Sequence, residues 1–496
     1  MKTFLFYDIE TSGLNPAFDQ ILTFACIRTD LELKEIDRQT ITICLRKDIV
    51  PSPQAFLTHG LTFDELSLGI NEYKAAFKIH KILNTPGTIS LGYNSLGFDD
   101  DFLRFTFYRN LLDPYSHQYA NGCSRMDILP ITVLFRVFHP KSLNWPQVDG
   151  KPSLKLDLIT RENKFVTSGR AHEALNDVEA VIELSKRMVQ HKDIWNYCLD
   201  FFNKTRDEVR IHNIEKKLDI GNKRFLNCLM LSASFGSKTN YMAPVIYLGS
   251  SLAYKNQSLW LRLDSDDILG MDAKLAIKDT YVIRKRPADA LIVLPALERF
   301  LDKLPEESRK ATRINIEKIC AHKEKFFEFV QYHLGFKYPN IPDLDPDAAL
   351  YQDGFFSFHE KKEINLFHNT WRDLSSGSLK LANVNPDKIK SIQKIKSPRI
   401  KILANRILAR NLADMKGHTS QTESSQNPEF NQQFNQHMDR LKSSLEKDQI
   451  IGYKNDVKFN YRQGLEALIE TKKTLLNPNQ DQKQMLEWLK RVIETL

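Results

Sequence analysis

Apolar and polar positions alternate in short runs through the first fifty residues. Phe4-Leu5-Phe6-Tyr7 is an unbroken apolar run that leads straight into Asp8 and Glu10. Residues 20–29 and 40–45 also carry a period of two, so three adjacent strands are expected, the last ended by Pro51-Ser52-Pro53. Thr62 followed by Glu65 has the spacing of a capped helix start. A helix over 71–83 is stopped by Pro86-Gly87, residues 88–93 read as a short buried strand, and 94–101 turn into a helix over 102–110. Residues 141–160 read as a loop whose last part, 153–160, begins a helix. Leu175, Val178, Ile182 and Met188 have helical spacing and carry a further helix to about Val189. Helices alternating with strands predict a mixed α/β layer domain.

Past Lys192 the pattern changes. Residues 200–224 are charge-dense and read as a connecting helix. Strands are expected over 241–248, 258–263 and 276–284, forming a small β-rich barrel with attached helices over 294–304 and 306–329. The proline-rich stretch 339–346 reads as a linker. Beyond Tyr351 the periodicity is helical, over 358–373, 387–416, 431–447, 454–477 and 480–496. A Ser/Gln/Asn-rich tract over 418–436 reads as a mobile loop, at least in its first half. There is no internal repeat.

Composition narrows the class. At 496 residues the chain is long enough for two to four domains. Apolar content of 42% and charged content of 27% are those of a soluble globular protein. Six scattered cysteines with no CxxC pair argue against a zinc site or a disulfide framework, and suit a reducing compartment. No run is long and apolar enough to span a bilayer, and acids interrupt the N-terminal run, so a cytoplasmic protein is expected. The net charge of +8 permits a polyanion partner. Nine Lys/Arg against one acid fall between Lys388 and Lys416. They fit either a solvated helix face or a wall that tracks the phosphates of a nucleic acid strand.

The candidate chemistry lies in acids. On a strand, Asp8 and Glu10 share a face while Ile9 points the other way. Two carboxylates at the end of a buried strand repel each other, and a divalent cation would reverse that sign. Gly92-Tyr93-Asn94-Ser95-Leu96-Gly97-Phe98-Asp99 places a third acid at a helix start, and Asp177 adds a fourth. His172 stands five residues before Asp177, at the entrance of that helix. Carboxylate oxygens are what Mg²⁺ selects, and two ions roughly 4 Å apart can clamp both oxygens of a phosphodiester displacement. A near-neutral histidine suits the general base. Each piece alone also has a bland reading, as frayed strand end, acidic first turn or surface histidine.

The ordered set DxE, N-x-x-F-D and H-x-x-x-x-D resembles the DEDD 3′→5′ exonucleases, histidine branch; Glu173 holds the position where the tyrosine branch has its tyrosine. The chain more closely resembles the bacterial exonuclease I family. The likeness is carried by residues 3–13, Ile27-Arg28-Thr29-Asp30, Leu91-Gly92-Tyr93-Asn94, Phe98-Asp99-Asp100, Phe107-Tyr108-Arg109-Asn110, Asp113-Pro114-Tyr115, Asn144-Trp145-Pro146 and Gly354-Phe355-Phe356-Ser357. It is dense over 3–190 and thin beyond.

The resemblance implies a ribonuclease H-like α/β exonuclease domain (1–192), an SH3-like β-barrel domain with attached helices (197–340) and an all-α C-terminal domain (341–496). These would form a basic channel. It implies two Mg²⁺ per site, with Mn²⁺ as a substitute: Asp8, Glu10 and Asp177 for the first, Asp8 and Asp99 for the second, and His172 as general base. Glu10, Arg104, Tyr115 and Lys155 match substrate-contact positions, with Lys155 standing where the family tends to have arginine. A lysine there keeps the charge and loses the bidentate fork. Single-stranded DNA as substrate, 5′-mononucleotides as products, a monomer, a role in DNA repair and recombination, and docking of the acidic C-terminal tail of single-stranded DNA-binding protein are further implications. Two alternatives are an RNA-trimming or proofreading exonuclease of the same superfamily and a non-catalytic single-strand-binding clamp. The two extra domains favour the first reading over a free-standing trimming module.

Overall fold

The computed structural model describes residues 2–165, 173–265, 268, 281–371, 386–412 and 429–495. The N-terminal region is built on one five-stranded sheet: β1 (Thr3–Thr11), β2 (Ile21–Thr29), β3 (Glu35–Thr42), β4 (Thr88–Gly92) and β5 (Ser124–Asp127). Its order is β3-β2-β1-β4-β5, with β1–β2 and β2–β3 antiparallel and β1–β4 and β4–β5 parallel. This is the mixed sheet expected of a ribonuclease H-like domain. Helices α1 (Glu72–Leu83) and α2 (Asp99–Arg109) cover one face through Ala75, Ile79, Phe102 and Phe107. Helices α3 (Ile128–Phe138) and α4 (Ala174–Val189) cover the other through Ile131, Phe135, Val178 and Val181. Each of these buried side chains larger than alanine contributes about 1.5–3 kcal/mol, which pins the central strand β1 from both sides.

Several local signals read as expected. Thr62 and Glu65 form a full capping box, and the helix expected over 71–83 is Glu72–Leu83, with Asn71 as its cap and not its first residue. Others did not. Helix α2 starts at Asp99, three residues earlier than expected, because its acidic first turn is helical. Strand β5 and helix α3 were not anticipated. The α3 sequence is rich in β-branched and aromatic residues and holds Pro130, so propensity does not favour a helix there.

The middle region holds a second sheet of β6 (Asn227–Leu231), β7 (Met242–Ser250), β8 (Ser258–Arg262), β9 (Val282–Lys285) and β10 (Ile292–Pro295), ordered β9-β8-β7-β6-β10 and antiparallel throughout. The helix expected over 294–304 is a correction: Ile292–Pro295 pairs with β6, and only Glu298–Leu301 is helical. The connecting helix expected over 200–224 is likewise short, Lys204–His212, and is followed by a hairpin of Leu218–Ile220 and Lys223–Phe225. The expected helix over 306–329 divides at His322 into Glu306–Ala321 and Lys323–Gly335. Part of the strand expected over 276–284 lies outside the described residues. Leu229, Met242 and Ile292 of this sheet join the same hydrophobic cluster as α3 and α4.

The C-terminal region is helical: Phe358–Thr370, Pro386–Gln393, Pro398–Leu412, Glu429–Lys442, Tyr461–Thr474 and Gln480–Thr495. The single helix expected over 387–416 breaks before Pro398, where the preceding residue is steered away from helical geometry. Most of the tract expected to be a mobile loop lies outside the described residues, and its end belongs to Glu429–Lys442. These helices pack on the first domain, with Phe18, Tyr73 and Tyr108 meeting Phe367, Leu403 and Ile407 in one core.

Charge joins the same two regions. Arg410 pairs with Asp48 and Asp347, Arg406 pairs with Asp345 and Asp347, and Arg46 pairs with Asp48 and Glu72. Arg399 grips Glu360 through two hydrogen bonds. Three of the nine basic residues, expected either on a solvated helix face or in a phosphate-tracking wall, thus face inward onto carboxylates.

Candidate active site

Strand β1 is buried from Phe4 to Tyr7 and at Ile9, and half-buried at Asp8 and Glu10. Its parallel pairing with β4 ends at Phe6 with Leu91. Asp8 and Glu10 follow on β1, and β4 ends one residue later, at Gly92. Gly92 permits the turn that follows: a Cβ there would lie 2.6 Å from the Tyr7 carbonyl oxygen. The turn is then held by Asp127, whose carboxylate accepts from the backbone N–H groups of Asn94, Leu96 and Leu129 at 2.9–3.0 Å. Asp127 also caps α3. Asn94, at φ 63°, takes the left-handed conformation that asparagine tolerates best. This geometry delivers Asp99 to the first position of α2, buried beside β1.

Asp8, Glu10 and Asp177 each offer a carboxylate oxygen, and these atoms lie within 4.8 Å of one another. Asp99 is not in that group, but its charge acts on both Asp8 and Glu10. Burial, then Asp99, Glu10 and Asp177, push the Asp8 carboxyl well above the usual range. Burial, Asp177 and Asp99 push Glu10 up to about 8. Burial is also the main reason Asp99 is raised. Among the described residues, only acids act on Asp8 and Glu10, and all of that action is repulsive. Oxygen-only donors held this close without a cationic side chain fit a hard divalent ion, which would relieve the repulsion.

The neighbour of Asp99 behaves oppositely. Asp100 is fully buried, which alone would raise it, yet Arg125 and Arg104 hold it well below the usual carboxylate range. Its carboxylate accepts from Arg125 and from Arg104, and the Tyr7 hydroxyl donates to it at 3.4 Å. One acid of the pair therefore anchors α2 through salt bridges while the other faces the strand.

The remaining expected residues fall in different places. His172 lies outside the described residues; α4 begins at Ala174, after Glu173. Arg104 is buried at 7% exposure and donates to Asp100 at 3.0 Å and Asp101 at 2.7 Å. Its guanidinium also lies 5.7 Å from the centroid of the Tyr115 ring. Tyr115 is half-buried and meets Phe355 edge-on at 5.4 Å. Lys155 is exposed, just ahead of the helix Leu156–Glu162.

A groove of about 710 Å³ opens beside Glu10, walled by His59, Phe63, Glu173 and, from the last helix, Met485 and Trp488. His59 Nδ1 accepts from the Leu61 N–H at 3.0 Å, and burial lowers its imidazole to about 4. The ring is therefore neutral at pH 7, with Nε2–H as a donor. Neither His59 nor Trp488 was singled out in the sequence, since the wall is assembled from opposite ends of the chain. Asp127 was missed too, although an Asp before an apolar run is a capping signal.

The sheet order and the carboxylate cluster at the end of its central strand fit a ribonuclease H-like exonuclease domain. The model of the RNase T exonuclease family matches residues 5–185. The chain is 31% identical over 424 residues to exodeoxyribonuclease I of Buchnera aphidicola subsp. Schizaphis graminum, covering 82% of this chain and 83% of that protein. It is 30% identical over 395 residues to exodeoxyribonuclease I of Escherichia coli, covering 74% and 80%. The chain belongs to the exodeoxyribonuclease I family. It also shares its fold over its full length with the zinc-bound complex of E. coli exonuclease I and single-stranded DNA, at a TM-score of 0.75 and 23% identity, covering 100% and 99%.

Proposed function

We infer that this chain is a 3′→5′ exodeoxyribonuclease that degrades single-stranded DNA and needs divalent metal. The observation that carries this is the gathering of Asp8, Glu10 and Asp177 within 4.8 Å at the end of β1, with Asp99 beside them. We propose Mg²⁺ as the natural ion, two per site, with Mn²⁺ able to replace it. Asp8, Glu10 and Asp177 would hold one ion, and Asp8 and Asp99 would address the other. When bound, such ions neutralise charge on the phosphodiester and acidify the attacking water.

The chain's own residues divide the remaining work. Asp127 and Gly92 fix the turn that places Asp99, and Asp100 locks α2 behind it. His172, by its place in the motif, would take the proton from the attacking water. Glu10 would also face the terminal nucleotide, which the groove beside it has room to receive. Tyr115 offers a ring for a base. Arg104, being buried and paired, acts in this reading by holding Tyr115 more than by reaching a phosphate. Exposed Lys155 can meet the backbone as a point charge.

We also propose three domains at 1–192, 197–340 and 341–496, with the antiparallel sheet of the middle region as part of an SH3-like barrel. In this reading the protein is monomeric and cytoplasmic, acts in DNA repair and recombination, releases 5′-mononucleotides, and docks the acidic tail of single-stranded DNA-binding protein. No helix among the described residues is long and apolar enough to cross a membrane. Labelled single-stranded DNA, duplex DNA and RNA, each with and without Mg²⁺, test the reading. Loss of the DNA single strand from its 3′ end, only with metal, is expected. Preferential RNA cleavage would move the protein to the trimming class, and binding without cleavage would make it a clamp.

A further inference from the structure

Asp99 stands apart from the other three acids. Asp8, Glu10 and Asp177 gather within 4.8 Å, while Asp99 comes from a different element, as the first residue of α2. Where α2 begins therefore decides whether Asp99 can share an ion with Asp8. Asp99 accepts a hydrogen bond from the backbone of Ile9. One residue on, Asp100 ties the same helix start to further elements. On β1, Tyr7 points away from Asp8, to the face that α2 covers, and is 2% exposed. Its hydroxyl donates to Asp100 Oδ1 at 3.4 Å. The sheet ladder sets Arg125 of β5 opposite Ser90, and Ser90 opposite Leu5, on the same face as Tyr7. Arg125 donates to Asp100 Oδ2, and Arg104, one turn along α2, donates to that oxygen at 3.0 Å. His117 Nε2 lies 3.7 Å from Oδ1. The Asp100 side chain is 1% exposed, so water does not compete for these contacts.

We propose that Arg125 and Tyr7 are positioning residues for the second metal ion: by gripping Asp100 they set how far Asp99 stands from Asp8. The proposal rests on the two-ion exonuclease reading and deepens it. Tyr7 immediately precedes Asp8 on β1, and Asp100 immediately follows Asp99 on α2. The Tyr7–Asp100 contact therefore bridges the same strand and helix that an ion shared by Asp8 and Asp99 would bridge. Arg125 adds a fixed point from the edge strand of the sheet, two strands away from β1. Its charge also offsets that of Asp100, whose repulsion acts on Asp99. Mg²⁺ demands near-ideal octahedral geometry, with oxygens at about 2.0–2.1 Å, so a small shift of Asp99 is felt at that ion. The first ion draws on Asp8, Glu10 and Asp177, whose spacing is set between β1 and α4, and is expected to be insensitive to Arg125.

The test counts bound Mn²⁺ by electron paramagnetic resonance in wild type, Arg125→Met, Arg125→Lys and Tyr7→Phe, each holding a cleavage-resistant phosphorothioate single strand. Wild type is expected to show a tighter and a looser ion. Arg125→Met is expected to weaken the looser one by about ten- to a hundredfold, the usual cost of losing a group that orients a metal ligand, with the tighter one unchanged. Arg125→Lys should recover part of that loss. Tyr7→Phe keeps the ring and its packing, and should weaken the looser ion roughly threefold, within what one hydrogen bond supplies. In single-turnover hydrolysis the half-saturating Mg²⁺ concentration should rise in the same order, with affinity for DNA held. Unchanged binding of the looser ion in Arg125→Met or in Tyr7→Phe would overturn the proposal. So would equal weakening of both ions and of DNA alongside a lower thermal midpoint in EDTA, the mark of a merely structural role. A wild type that binds fewer than two ions would instead sink the two-ion reading beneath it.

Discussion

Arg410, on the helix Pro398–Leu412, donates to Asp48 of the N-terminal region at 2.7 Å, and both side chains are buried. The carboxylate of Asp48 also faces Arg46, Lys458 and His437. Burial alone would raise Asp48, but Arg410, Arg46 and Lys458 hold it well below the usual range. The C-terminal helices are therefore tied to the nuclease sheet by ion pairs as well as by the shared apolar core. Breaking one partner of a buried pair leaves charge without compensation. Arg410→Met is expected to cost about 3 kcal/mol, the low end for such a loss, since Arg46 and Lys458 remain. Urea unfolding followed by circular dichroism measures it.

The protein carries two sets of acids with opposite pH behaviour. Asp48, Glu72 (lowered to about 2) and Asp100 are depressed in the folded state. Their stabilisation is full above about pH 5 and is lost progressively as pH falls from there through the folded values. Glu10, raised to about 8, and Asp127, raised to about 6, act the other way. The folded state binds their protons more tightly, so stability in the absence of metal falls as pH rises from about 4.5 toward 8. Added Mg²⁺ should offset that fall, increasingly so at higher pH, because binding releases the protons. Melting temperatures in EDTA and in Mg²⁺ between pH 5 and 8.5 check this. Parallel curves would contradict it.

Asp127 does its work through three backbone N–H groups. Asp127→Ala removes a helix cap and the brace of the 94–96 turn. It is expected to cost about 1–2 kcal/mol in stability. It should also slow hydrolysis, through misplacement of Asp99. Asp127→Asn keeps a capping oxygen and should recover most of the stability. Paired measurements of unfolding and of turnover separate the two effects.

The sequence showed the strand-borne acids and the caps because those signals are local. Asp8 and Glu10 share a face by the two-residue period alone, and Thr62 and Glu65 act within one helical turn. What it hid is set by tertiary contact. Ile292–Pro295 is a short apolar run that periodicity alone leaves between helix and strand, and its pairing with β6 decides it. Arg399, Arg406 and Arg410 count as surface charge in a composition window, and only the fold reveals the acids they meet. Strand β5 is four residues with three polar side chains, and it becomes a strand only beside β4. The groove wall needs residues 59 and 488 together, which no spacing rule connects.

His172 is expected to act on the water, with little share in holding DNA. His172→Ala should lower turnover by 10²–10⁴-fold, the usual range for a general base, with binding of single-stranded DNA kept. Single-turnover hydrolysis set against anisotropy binding makes the separation. Equal losses in both would assign His172 a structural role.

The account depends most on Asp8, which neighbours every other acid of the cluster. The direct measurement is single-turnover hydrolysis of 5′-labelled single-stranded DNA by Asp8→Asn against wild type, with Mg²⁺ and with EDTA. Wild type with Mg²⁺ should shorten the strand progressively from its 3′ end. Both EDTA and the substitution should lower the rate at least about a thousandfold, several kcal/mol of transition-state stabilisation, while DNA binding by Asp8→Asn persists. Hydrolysis by Asp8→Asn at the wild-type rate would contradict the account.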